Sequence, residues 1–371
     1  MKKFVGMLFI ALTVVSFGFA QVSGLSLGSA STVRDNTAYV MDVLDWNKAD
    51  FGKFFGFTSI DSSSSLNFLG AQQVKGGNLA YSYAGNLWKE GADNYSVFYG
   101  KKNMGFLFTL DADKAKEGKI ESDMGDVNVE NYGVFSPSFT FGMNATDKFS
   151  FKAGFGIGLT TGKNSSEFGT TEYLTKTSLS APVVELAGYY TIKNTDKLFA
   201  RLGLSYTGVF AGLKSKLYID GEFDEKTELS LNANAIALSG SLEYKATDRF
   251  TYGLNAVFPG FVFNGGKDVN GDAIPFENMI TFAISNGFVA EVSPDRFLLS
   301  FGMTTALPSF IFVEDEDTEI TDIVNTYYLG MGFCLTPQIR IDGTATITPQ
   351  SGISMKTIWE QKLAISVSIK L

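Results

Sequence analysis

The sequence predicts an all-β protein: a closed antiparallel transmembrane β-barrel of about fourteen strands, with twelve or sixteen as alternatives, and a short, partly helical N-terminal plug or cap. Three observations carry this. Apolar residues alternate with small or polar ones along most of the chain. Tight turns recur on one side of the strand pairs and long polar connections on the other. The chain opens on an export signal and closes on an alternating strand.

The opening is read first. Lys2 and Lys3 precede a mostly apolar run from Phe4 to Phe19, and Gly18 and Ala20 are the small residues of a cleavage site before Gln21. Residues 1–20 are therefore read as a signal peptide. No later stretch approaches the ~20 continuous apolar residues of a membrane helix. Residues 21–75 lack clear alternation and are assigned to the plug or a periplasmic segment. Asn36 can cap a short helix over Thr37–Trp46, and "DSSSSLNFLG" reads as a linker. The barrel is then expected over 76–371.

Period 2 marks a strand with two unlike faces. Phe149, Phe151, Ala153, Phe155, Ile157 and Leu159 interleave with Ser150, Lys152, Gly154, Gly156 and Gly158. The same pattern holds around 198–206, 327–335 and 339–348. Fourteen segments qualify, near 78–88, 93–100, 104–111, 130–143, 149–160, 178–192, 198–210, 229–244, 250–262, 278–290, 297–308, 324–335, 339–349 and 360–371. A soluble sandwich also alternates, but rarely over so many long strands.

The turns share a logic. "NATDKF" (144–149), "KNTDKL" (193–198), "KATDRF" (245–250) and "VSPDRF" (292–297) place Thr-Asp or Pro-Asp before a cation and then an aromatic or Leu. "GKKN" (100–103) and "LTPQ" (335–338) are further members. The connections at 111–131, 218–228, 264–278 and 313–322 are expected to be long, acidic loops. Short turns then face the periplasm, with Phe149, Phe250, Phe297, Tyr190 and Tyr244 as an aromatic girdle. In the last strand Leu363, Ile365, Val367, Ile369 and Leu371 alternate with Ala, Ser, Ser and Lys, which suits a paired strand facing lipid. Such an ending resembles the signal read by the barrel-assembly machinery, with Leu where Phe or Trp is usual.

Composition excludes several functions. Without Lys2 and Lys3, 28 basic residues face 39 acidic ones, a net charge of −11, so nucleic acid is no partner. Cys334 is alone, and no internal disulfide can form. The chain has no His, which removes Ser-His and Cys-His nucleophilic pairs and imidazole metal sites; an enzyme is not expected, nor a cofactor or metal. "KDVNGD" at 267–272 carries Asp268, Asn270 and Asp272, yet lacks the terminal bidentate Glu of a calcium loop, and reads as an Asn-Gly turn.

Phase places Lys152, Glu185, Arg201, Glu243, Arg340 and Asp342 on the lumen face, because a lipid-facing Lys or Arg near mid-membrane costs about 2–4 kcal/mol. They are either a charged ring for a pore or plug, or structural salt bridges. Pro137, in phase with Phe135, Phe139, Phe141 and Met143, lies at hydrocarbon depth. It donates no ladder hydrogen bond, so it marks either a bulge or a lateral gate.

Signal peptide, N-terminal segment and strand number together resemble the long-chain fatty acid transporter (FadL-like) group and the porins. The general character of the sequence also looks spirochaetal, with no motif behind it. The FadL resemblance implies passive outer-membrane transport of small or hydrophobic compounds, an N-terminal hatch, and outer-membrane lipid and the barrel-assembly machinery as partners. No Asn-Pro-Ala hatch motif stands in "SASTVRDNTAYVMD", so no binding residue of that group is carried over. The alternative is a surface structural or adhesin barrel whose acidic loops meet external ligands.

Overall fold

A computed structural model describes residues 53–370, except 62–64, 75, 87–92, 113–116, 121–126, 169–170, 269, 275–276, 294–295, 314–318, 321–322, 337 and 348–361. The chain begins with β1 (Phe55–Asp61), β2 (Ser65–Val74), β3 (Gly77–Asn86), β4 (Asp93–Lys101) and β5 (Met104–Ala112). Then come β6 (Glu117–Ile120), β7 (Val127–Asn144), β8 (Phe149–Phe168), β9 (Thr171–Asn194), β10 (Leu198–Ile219) and β11 (Glu222–Thr247). Next are β12 (Phe250–Lys267), β13 (Ala273–Ile274), β14 (Glu277–Ser293), β15 (Phe297–Ala306) and β16 (Phe310–Val313). The chain finishes with β17 (Glu319–Ile320), β18 (Val324–Cys334), β19 (Ile339–Ile347) and β20 (Lys362–Lys370).

All belong to one antiparallel sheet, and no helix occurs among the described residues. Four short strands, β6, β13, β16 and β17, continue β5, β14, β15 and β18 beyond a break. The remaining sixteen form a circuit in which each pairs with two neighbours. It closes where Phe55 opposes Lys370 and Asp61 opposes Ala364, joining β1 to β20. Closure removes every sheet edge, the condition for a sheet to stand in hydrocarbon.

All fourteen expected strands are present, and the count rises to sixteen because β1 and β2 come from the segment assigned to the plug. The barrel wall therefore starts at Phe55 rather than 76. Alternation fails to reveal β2 because both its faces carry apolar residues: Phe68 points outward, while Leu69 and Ala71 are buried on the other side. The expected helix at 37–46 and the rest of 21–52 lie outside the described residues.

A second correction concerns the loop expected at 218–228. It is a two-residue hairpin turn, Asp220-Gly221, with φ of 48° and 82°. Positive φ at both central residues is the type I′ geometry that matches strand twist and favours Asp-Gly. The acidic stretch is strand, and β9, β10 and β11 reach 24, 22 and 26 residues. A tilted strand needs only ~9–11 residues to cross a bilayer, so these three project well beyond it.

The short turns fold as expected. Thr146 Oγ1 accepts hydrogen bonds from the backbone N–H groups of Lys148 and Phe149, and Thr195 Oγ1 accepts one from Leu198. Thr247 and Thr336 act in the same way. The threonine hydroxyl thus replaces a missing backbone partner in the reversal.

The wall's two faces separate cleanly. Tyr95, Val97 and Tyr99 are exposed on β4, while Ser96 and Phe98 between them are buried. On β8 Phe149, Phe151, Phe155 and Leu159 are exposed. Phe106, Phe141 and Phe151 pack as tilted rings in series across β5, β7 and β8, with ring centroids 5.2 and 5.7 Å apart. Near the short turns Phe149 meets Tyr190 at 5.5 Å and Phe297 meets Phe333 at 4.7 Å, forming the girdle. Ile365 and Ile369 of β20 are exposed in line with this belt. Leu371 lies outside the described residues.

Candidate lumenal site

Four of the six expected lumen charges stand on adjacent strands. Lys152 of β8 and Glu185 of β9 form an ion pair of 2.7 Å. The register sets Gly154 opposite Glu185 and Lys152 opposite Ala187, so the pair runs diagonally over small residues. One strand further, the Arg201 guanidinium lies 4.6 Å from the centroid of the Tyr189 ring and 5.7 Å from that of Phe199. Tyr189 itself is buried and lies over Gly203, where a side chain would collide with its ring. Arg201 Nε has no acceptor among the described residues. Glu243 follows on β11, opposite Phe199.

Arg340 and Asp342 sit apart, on β19. They are ion-paired with each other, and both are buried. The pair covers Gly332 of β18, the register partner of Asp342. The charges therefore make one patch over β8–β11 and one separate pair, not a ring.

Above this patch the inner face becomes apolar. Leu179, Leu213 and Leu229 are register partners across β9, β10 and β11, and Val183, Val209 and Ala233 make a lower row, with Ala211 and Leu231 paired between them. They share the face of Glu185, Arg201 and Ser241 by strand parity. A separate, lower row, Ala235, Val262 and Met279, is a buried cluster against which Ile311 packs; toward β9 its register runs through Thr207 to Glu185. Sequence reading missed it, because apolar residues occupy both faces of these strands and blur the alternation.

Pro137 has its expected phase, beside the outward Phe135 and Phe139. On the β5 side it pairs with Leu110. On the β8 side pairing stops at Phe135↔Leu159 and resumes at Ser138↔Gly156 with no register shift between them. No residue is inserted, so this is a gap in the ladder and not a bulge. Pro182 of β9 repeats the arrangement: it pairs with Ile157 of β8, while pairing to β10 stops at Val183 and resumes at Ser180. A true bulge occurs at 258–259 of β12 and includes Pro259. The rule that a proline inside a strand breaks a ladder could have found these two as well.

The "KDVNGD" stretch behaves as a turn. Asp268 Oδ1 accepts hydrogen bonds of 2.9 Å from the backbone N–H groups of both Asn270 and Asp272, and Gly271 has φ of 85°.

A closed wall, apolar outside and part polar, part apolar inside, defines a transmembrane β-barrel. No protein-family profile and no curated protein match the chain. Among solved structures it is similar to a Pseudomonas aeruginosa FadL homologue, at 13% identity and a TM-score of 0.42, covering 85% of this chain and 88% of that one. It is also similar to the CymD monoaromatic hydrocarbon channel, at 10% identity and a TM-score of 0.41 over 94% of both chains. The Pseudomonas putida toluene transporter TodX gives 10% identity and a TM-score of 0.39, over 93% of this chain and 94% of that one. At such identities and scores, function must be read from this chain's own wall.

Proposed function

We propose that this protein is an outer-membrane channel for passive entry of small hydrophobic compounds. The observation that carries the reading is the apolar inner wall: Leu179, Leu213 and Leu229 in one row, with Val262 and Met279 in a lower row on the neighbouring strands. A water-filled porin lumen is polar, whereas apolar ligands are held by apolar walls with a few placed polar groups. Arg201, held on Tyr189 below the rows, is such a group and suits a carboxylate at one end of a hydrocarbon.

The N-terminal segment, now residues 21–54, belongs to the same proposal as a plug. Leu69, Ala71, Ala80 and Phe98 point inward on β2–β4 and are completely buried, which favours a filled lumen beside them. The short turns then face the periplasm, and the wall gap at Pro137 offers a lateral exit at hydrocarbon depth.

The test uses the full mature chain in lipid vesicles, with folding verified by heat-modifiable gel mobility. Passage of toluene and of a medium-chain fatty acid is expected to exceed that of glucose, with little steady conductance in planar bilayers. Free passage of glucose without selectivity for the hydrocarbon overturns the reading in favour of a general porin. Impermeability to all three favours a surface structural role.

A further inference from the structure

The outer face of the projecting strands carries an arrangement that the transport reading does not use. Lys163 of β8 opposes Lys176 of β9. Lys176 opposes Lys216 of β10, and Lys216 opposes Lys226 of β11. Four lysines thus stand side by side across four strands. With strands ~4.8 Å apart the row is roughly 15 Å long. Like charges directly opposite one another destabilise a sheet, and here three such pairs adjoin in a chain whose net charge is −9.

Strand parity puts the row outside. On β10 the outward positions run Leu202, Leu204, Tyr206, Gly208, Phe210 and Gly212 before reaching Lys214 and Lys216, and Leu202, Leu204 and Phe210 are exposed. At roughly 2.5 Å of height per residue for a tilted strand, the lysines stand roughly 40 Å above the short turns. A hydrocarbon core of ~30 Å lies between, so the row meets the headgroup layer of the far leaflet.

Neighbouring groups shape the site. Glu228 reaches Lys226 at 2.7 Å and Lys214 at 3.8 Å. Glu130 of β7 is the register partner of Lys163 at the row's other end. The two central lysines are set differently: Lys176 Nζ rests 4.9 Å from the centroid of the Tyr218 ring, which holds the ammonium on the outer face with N–H groups to spare. Lys216 is exposed beside it.

We propose that the row Lys163–Lys176–Lys216–Lys226 is a binding strip for the multiply phosphorylated headgroup of a lipid in the outer leaflet. A headgroup with more than one phosphate spans several ammonium groups at once. Each phosphate accepts charge-assisted hydrogen bonds and relieves the repulsion between neighbouring lysines. The proposal rests on the membrane-barrel reading, but not on what passes through the lumen.

The experiment uses the full mature chain folded in neutral maltoside micelles. The probes are a bisphosphorylated glucosamine-disaccharide lipid, the same lipid dephosphorylated, and inorganic pyrophosphate. Bound lipid is read by native mass spectrometry, and the thermal midpoint by heat-modifiable mobility. Wild type is expected to retain the phosphorylated lipid and gain thermal stability from it, with neither effect from the other two probes. The double variant Lys176→Gln/Lys216→Gln should bind at least about tenfold more weakly, a loss of about 1.4 kcal/mol. Lys148→Gln/Lys197→Gln, with the same charge change in the short turns, should bind as wild type; both double variants must first show folded mobility. Equal binding by wild type and the Lys176/Lys216 variant overturns the site. So does equal binding of the dephosphorylated lipid, and protection by pyrophosphate overturns the lipid assignment. Wild-type protein that never inserts into vesicles counts against the membrane reading itself, whereas inserted protein indifferent to phosphate counts against this strip alone.

Discussion

Lys152 Nζ lies 2.7 Å from Glu185 Oε1 on the inner wall, with the lysine side chain only 8% exposed. Removing one member leaves the other charged in a poorly hydrated place, which costs more than the pair itself contributes. Lys152→Met is expected to lower stability by about 2–3 kcal/mol, and Glu185→Gln by less, since Glu185 is the more exposed. The double variant Lys152→Met/Glu185→Gln should recover part of the loss. Urea unfolding in vesicles measures the cycle, and strictly additive losses would show that the two side chains are not coupled.

Tyr189 and Gly203 form the second test. A Cβ added at Gly203 would come within 2.5 Å of Ser239 Oγ, 2.8 Å of Tyr189 Cδ1 and 3.0 Å of Cε1, so the hydroxyl and the ring must both move. The ring also supports Arg201. Gly203→Val is expected to cost about 1–3 kcal/mol. Placed in a Tyr189→Ala/Ser239→Gly background, which removes both contacts, the same change should cost much less. A full cost in both backgrounds would mean that these two side chains are not what limits the site.

Pro137→Thr supplies the missing N–H opposite β8 while keeping a strand-compatible side chain. The substitution should stabilise the barrel by about 0.5–1.5 kcal/mol, the worth of one ladder hydrogen bond. If the gap serves as the exit, uptake of a labelled fatty acid should slow by several-fold at equal surface abundance. Unchanged uptake would leave Pro137 as a tolerated interruption. Pro182→Thr provides the comparison two strands away, at the β9–β10 gap.

Leu213 occupies the centre of the apolar row, between Leu179 and Leu229. Leu213→Asp should depress hydrocarbon passage by about tenfold, because a carboxylate replaces roughly 1.5–3 kcal/mol of apolar contact. Heat-modifiable mobility should stay as in wild type, since the position faces the lumen and leaves the ladder intact. Toluene flux into vesicles measures it, with Leu213→Ile as the apolar control.

Export is tested at the chain's start. The mature protein isolated from membranes should begin at Gln21, as intact mass will show. An N-terminus retaining Lys2 and Lys3 would contradict cleavage.

Much of the barrel was legible because lipid imposes a simple pattern. A strand with hydrocarbon on one side and small residues on the other announces itself, as Phe151, Phe155 and Leu159 do in alternation with Lys152, Gly154, Gly156 and Gly158. The Thr-containing turns were equally plain, since one hydroxyl performs the same hydrogen bonding each time. β2 was hidden by Leu69 and Ala71, buried on its inner face. The hairpin at Asp220-Gly221 was hidden by acidic neighbours that suggested loop, although the Asp-Gly pair was the stronger signal.

Local chemistry alone therefore determined the class of fold, the side of the wall taken by Lys152, Arg201 and Arg340, and the phase of Pro137. These depend on period 2 and on the cost of charge in hydrocarbon, both readable one strand at a time. Register was beyond it, because the offset between neighbouring strands is set by the turns and the closure of the whole sheet. Only the tertiary structure decided that Lys152 reaches Glu185 and that the leucines of three strands share one row. It alone set four lysines from four strands side by side, and it alone showed that the chain closes through β1 on β20.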